Sequence, residues 1–222
     1  MWNVLEIKKA FITYAEVLIA VMGVMFLTMD ALTRSLGNSY SLYLKFSTIV
    51  LCFFISLLIG CEGYNSTDRL LVQLARLFTI AADYYLVILN NNAYGILFFC
   101  VVQAIYIIRH NLISNISPYK LMTLAIGSSS FLLVLANEIS TPYINKFLLM
   151  EGVIYGGILL CSLYTAIKTK KDLISIGMTM FFFCDLNVAL YNVTNKFIFG
   201  FLIWLFYLSS QLLLTFSGFR EG

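Results

Sequence analysis

Two carboxylates lie where an apolar chain has least use for them. Asp83 falls within LLVQLARLFTIAADYYLVILN, residues 70–90, and Asp185 within ISIGMTMFFFCDLNVALYNV near the C-terminus. Both runs are apolar enough to cross a bilayer, and an ionisable side chain at the centre of such a helix costs about 2.5–3.5 kcal/mol on insertion scales. The chemistry open to such a pair is acid–base. Burial favours the protonated carboxyl, and two adjacent carboxyls do not readily both ionise. One then holds a proton to donate while the other stays ionised to orient water or stabilise a cation. The plainer reading makes each acid a helix fastener, through intramembrane hydrogen bonds worth about 0.6 kcal/mol each.

Other polar side chains fall near the same depth. Arg76 shares a helical stripe with Thr79 and Asp83, placed either to bind a lipid phosphate or to snorkel towards the nearer interface. Lys45 opens the second run and offers a counter-ion to the aspartates or to a headgroup, with snorkelling as the alternative. Gln103 is midway along the fourth run, and Asn192 is seven residues beyond Asp185 on the same face. Glu151, one turn into the sixth run, and Glu16, in the first, read as rim residues. His110 is the single histidine, beside Arg109 at the end of the fourth run, so a metal site or histidine-based triad has little support. Ser128–Ser130 has no GxSxG frame for a serine hydrolase.

The elements that must position these groups are membrane spans. Of 222 residues, 61% are hydrophobic and 11% charged, and mean hydropathy is +0.91. Soluble domains hold about 25% charged residues, so the class is an all-α integral membrane protein. A net charge of +3, scattered along the chain, does not suggest nucleic acid. Eight runs near 10–29, 41–60, 70–90, 93–110, 120–139, 147–167, 173–193 and 198–217 each match a hydrocarbon core about 30 Å thick. The short connections, with turn-formers such as Gly37-Asn38-Ser39, Asn90-Asn91-Asn92 and Ser117-Pro118, leave room for one compact eight-helix domain. The first run lacks a small-x-small cleavage site and reads as a span, not as a signal peptide.

Basic residues give the expected orientation. With the N-terminus cytoplasmic, that side holds Lys8, Lys9, Arg69, Arg109, Lys120, Lys168, Lys170, Lys171 and Arg220, against Arg34, Lys146 and Lys196 outside. The bias puts both termini inside. Spans three and seven then run the same way, and Asp83 and Asp185 both lie roughly 18–20 Å from the inner face. Cys52, Cys61, Cys100, Cys161 and Cys184 form no CxxC and read as ordinary packing. Gly152, Gly156 and Gly157 suggest close helix contact in span six, and Tyr40, Tyr43, Tyr94, Tyr119 and Tyr143 an interfacial belt.

The pattern of these residues resembles the YhhN-like membrane proteins, the lysoplasmalogenase family of eight-helix bundles. The parallels are Lys45-Phe46 entering the second helix, Ala82-Asp83 in the third, and Gly95, Phe99, Gln103 and Tyr106 in the fourth. Tyr155 matches an aromatic position in the sixth, Cys184-Asp185 with Ala189 matches the seventh, and WLFYLSSQLLLTFSG resembles the bacterial ending. Three positions depart from the family pattern: no proline follows Lys45, alanine precedes Asp83, and Gln103 replaces a histidine. The resemblance implies hydrolysis of the vinyl ether of a lysoplasmalogen or other ether lysolipid, with Asp83 and Asp185 as the catalytic carboxyls. Lys45, Arg76, Gln103, Tyr106, Glu151, Tyr155 and Asn192 are then the expected substrate contacts. No metal or cofactor is expected, and the location is a membrane, the plasma membrane in a bacterium. Two other functions stay open on the residues alone: a proton- or cation-coupled transporter, and a non-catalytic lipid-binding protein whose acids only clamp helices.

Overall fold

A computed structural model describes residues 4–59, 64–139 and 146–220. Within them the chain forms eight helices long and apolar enough to span a membrane. They are α1 (Val4–Thr33), α2 (Ser39–Ile59), α3 (Ser66–Asp83), α4 (Asn92–Ser114), α5 (Pro118–Ile139), α6 (Lys146–Lys168), α7 (Asp172–Thr194) and α8 (Phe197–Arg220), and the described residues hold no strand. All eight expected runs are helices, and most extend several residues beyond the apolar stretch. At α3, α4 and α7 the ends are held by asparagine caps. Asn65 accepts a hydrogen bond from Asp68 N at 2.7 Å to start α3, and Asn91 does the same for Tyr94 N at 3.3 Å to start α4. Asn115 and Asn195 end α4 and α7 in the left-handed conformation that asparagine tolerates.

Six helices close into a ring in the order α2, α3, α4, α6, α7, α8, each packed on the next, with α8 returning to α2. α1 lies outside, in the groove between α2 and α8, and α5 lies outside on α6. One apolar cluster, built around Ile49, Val102, Tyr106, Met178, Phe181 and Leu214, fills the ring. A second joins α1 to α2 and α8 through Ile19, Phe26, Cys52 and Ile55. Gly156 and Gly157 make the expected close contact, against Leu132 and Ser129 of α5, whereas Gly152 has open space beside it. No described side chain of α5 is buried. The tyrosines Tyr40, Tyr43, Tyr94 and Tyr119 are exposed, as a belt requires; Tyr143, Cys61 and Pro142 lie outside the described residues.

The third span departs from the expected regular helix. Directly after Asp83 the backbone widens into a π-helical turn, Tyr84–Ile88, closed by Leu89 N donating to Tyr84 O at 3.0 Å. Such turns hold one surplus residue and occur often at functional sites. The surplus residue brings Tyr85 onto Phe98 of α4, rings stacked 5.5 Å apart, and presses Leu86 against Gly95, where a Cβ would overlap it.

Candidate active site

The buried face of α3 reads Asp68, Val72, Ala75, Arg76, Thr79, Ala82 and Asp83, the i, i+4, i+7 spacing of one helical stripe. Asp83 is 3% exposed, and the Tyr207 hydroxyl of α8 donates to its Oδ2 at 2.6 Å. On the other side of the ring interior, the Tyr155 hydroxyl of α6 donates to Asp185 Oδ2 at 2.5 Å. Asp185 and Tyr155 are half-buried, in contrast to Asp83. The two acid–tyrosine pairs meet at Phe99 of α4, whose ring lies 6.2 Å from that of Tyr207 and 6.3 Å from that of Tyr155. Phe181 closes the group, 5.8 Å from both Phe99 and Tyr207. Asp83 and Asp185 are near enough for their charges to interact.

Helices α3 and α7 do not pack against each other as a pair; α8 lies against both, and α4 and α6 complete the enclosure. The carboxyls are therefore brought together by third parties. Tyr207, the hydrogen-bond partner of Asp83, is the side chain of this cluster that the sequence reading does not single out. It lies in the WLFY stretch, one of fourteen tyrosines with no spacing signal to mark it.

The other expected contacts divide. Gln103 and Tyr106 are fully buried on α4, and Gln103 lies beside Tyr155. Arg76 is fully buried too, so it does not snorkel; its guanidinium donates to Gln211 Oε1 and stands over the Tyr106 ring at 5.7 Å. Lys45 is also fully enclosed, but its partner is an acid of α1: Lys45 Nζ lies 2.6 Å from Asp30 Oδ2, with Ser41 donating to Asp30 Oδ1 at 2.6 Å. The Trp204 ring covers the ammonium at 4.9 Å. Glu151 is half-buried, with an unpartnered carboxylate oxygen. Asn192 is exposed, because it lies in the last turn of α7, where neighbouring helices no longer cover that face. The buried asparagine of α7 is Asn187, whose amide donates to Phe183 O at 2.7 Å.

Two further residues change place relative to the sequence reading. Arg109, expected among the loop cations, is fully buried inside α4, with Asp68 Oδ1 accepting from Nε at 2.7 Å and Ser217 Oγ from Nη2 at 2.9 Å. α4 runs one turn beyond its expected apolar stretch, and His110, at the end of that stretch, is fully buried as well. The imidazole stacks on Tyr106 with ring centroids 5.6 Å apart. Among the described residues no three His, Cys, Asp or Glu side chains are grouped to hold a metal.

The arrangement sets two carboxyls, each accepting a hydrogen bond from a phenol, among aromatic rings inside the bundle, where either could give or take a proton. No curated protein and no solved structure matches the chain. A sequence profile does: that of the YhhN family, over residues 40–218, which spans α2 to α8 and every residue of the acid–tyrosine cluster. The chain belongs to the YhhN family.

Proposed function

We propose that this protein is an intramembrane hydrolase that cleaves the vinyl ether of a lysoplasmalogen-type lysolipid, with Asp83 and Asp185 as its acid–base pair. The observation that carries the reading is the convergence of Asp83–Tyr207 and Asp185–Tyr155 on Phe99. Membership of the YhhN family, which is associated with lysoplasmalogenase activity, supports the choice of bond. The protonated carboxyl gives its proton to the outer vinyl carbon, and an oxocarbenium ion forms at the carbon bearing oxygen. The ionised carboxyl stabilises that cation and takes a proton from the attacking water, as paired carboxyls do in glycoside hydrolysis. The two acids have then exchanged states. When the hemiacetal collapses, the newly ionised acid removes the hydroxyl proton and the other protonates the departing glycerol oxygen. The products are a fatty aldehyde and a glycerophospho-base, and both acids return to their starting states.

The tyrosine hydroxyls donate to one oxygen of each carboxyl and leave the second for substrate. The test is turnover of a lysoplasmalogen by the purified protein in deuterium oxide. The aldehyde should carry one deuterium on the carbon next to its carbonyl. An unlabelled aldehyde, or no aldehyde, rejects the mechanism.

A second reading, proton- or cation-coupled transport, draws on the π-helical turn directly after Asp83, since irregular helices supply backbone groups at membrane depth in transporters. It predicts acid-dependent ion flux in proteoliposomes and no aldehyde.

A further inference from the structure

Among the described residues three basic side chains, Lys45, Arg76 and Arg109, are fully buried, and two of them face a carboxylate. Lys45 faces Asp30, and Arg109 faces Asp68. Arg76 pairs with no carboxylate among the described residues. Its one hydrogen bond goes to the neutral Gln211, and its Nε and Nη2 have no partner. Asp83, seven residues further along α3, acts on it only through space, and a guanidinium buried with unsatisfied N–H groups is among the more expensive groups a protein interior can hold.

The unpartnered atoms around it share a chemistry. Gln211 Nε2 and the Tyr106 hydroxyl are buried and without a partner, and both can donate. With the two free nitrogens of Arg76 they make a set of donors lacking an acceptor. A phosphate oxyanion is an acceptor with the matching charge, and guanidinium binds it through paired N–H groups.

The position of this set relative to the acids is informative. Gln211 lies four residues after Tyr207 on α8, about one turn or 6 Å along the helix axis. Tyr207 holds Asp83, and Gln211 holds Arg76. One turn is the scale of the glycerol unit that separates a phosphate at one end from an ether oxygen at the other. We infer that Arg76, Tyr106 and Gln211 form a phosphate-binding subsite one helical turn from the acids, filled by the headgroup phosphate of the lysolipid. The inference rests on the lysolipid reading of the site for the source of the phosphate. It selects Arg76 over Lys45 as the cation that recognises substrate, and it orients the lipid with its phosphate towards the end of the bundle where α3 begins.

The test uses ligands that cannot be turned over, measured with the full-length protein in nanodiscs. The probes are a saturated alkyl-ether lysophosphocholine, the matching alkylglycerol without phosphate, and inorganic phosphate. The wild type should bind the phosphocholine lipid roughly 30-fold tighter than the alkylglycerol, the scale of one or two charge-assisted hydrogen bonds. Arg76→Gln should remove that preference by weakening the phosphocholine lipid alone, and Arg76→Lys should keep part of it. Displacement of the ether lipid by millimolar inorganic phosphate supports the phosphate subsite and assigns it to a free anion, whereas resistance to displacement assigns it to the headgroup. Equal weakening of both lipids by Arg76→Gln, or no weakening, overturns the subsite. Should Arg76→Gln fail to fold, Tyr106→Phe with Gln211→Leu removes the neighbouring donors and must reduce the same preference. None of the probes has a vinyl ether, so phosphate preference without aldehyde production rejects the reaction alone, and aldehyde production without phosphate preference rejects the subsite alone.

Discussion

At one end of the bundle Asp30 faces Lys45 at 2.6 Å, and at the other Asp68 faces Arg109 at 2.7 Å. Between them Asp83, Asp185 and Arg76 are each held by neutral partners, Tyr207, Tyr155 and Gln211. At the end pairs opposite charges meet, a serine hydroxyl adds a hydrogen bond to Asp30 and another to Arg109, and each pair ties two helices together. The middle groups are open, with charge or protons still available to a ligand. Contact with an opposite charge separates the two sets, and under the proposed reaction residue types that fasten helices at the ends would do chemistry in the middle.

That contrast predicts different losses for changes that look alike on paper. Asp83→Asn or Asp185→Asn should lower turnover about 10³-fold, within the range of a removed general acid or base, with the thermal midpoint near that of the wild type. A variant that unfolds in step with its loss of turnover would turn the central acids into fasteners. Asp68→Asn or Asp30→Asn should do the reverse, destabilising by about 3 kcal/mol because a buried cation is left unpaired, while the folded fraction keeps its specific activity. Replacing both partners, Asp30→Leu with Lys45→Met, should recover much of that stability in a denaturation series. Tyr207→Phe and Tyr155→Phe should each reduce turnover about tenfold, the value of one hydrogen bond to a charged group. The smallest effect separates the two acids themselves: Asp185 is half-buried and Asp83 almost fully so. A lipophilic carbodiimide should modify Asp185 several-fold faster, about the ratio expected from access alone, as read by peptide mass spectrometry. Equal rates would mean that both acids share one open mouth.

Hydropathy was sufficient for the eight spans because lipid-facing surface repeats along each of them, and it located Asp83 and Asp185 because a lone acid in such a run stands out. What it left out follows from the same cause. Arg109 lies at the edge of its apolar run and reads as a loop cation, yet α4 continues to its Asn115 cap and carries it inside, and Asp30, just past the first run, is buried as well. Tyr207 and Gln211 occur in a stretch rich in aromatic and aliphatic residues, where nothing local distinguishes a hydrogen-bonding phenol from a packing one. The adjacency of the acids depends on α8 lying against both α3 and α7, a long-range arrangement that no spacing within α3 or α7 encodes. Asn192 shows the opposite error, since periodicity puts it on the face of Asp185 but does not say where coverage by neighbours ends.

The widened turn at Tyr84–Ile88 lets a single length of chain satisfy two demands that a uniform helix sets against each other. In an uninterrupted helix the residues past Asp83 would be rotated by about 100°, the step of one residue. Tyr85 would leave Phe98, and Leu86 would swing away from the notch at Gly95. The spare residue absorbs that rotation, so the carboxylate faces inward while the segment beyond it stays sealed against α4. Register in this part of the membrane is thus governed by a count: shortening the turn by one residue would unseat the seal without altering any side chain that touches the acid.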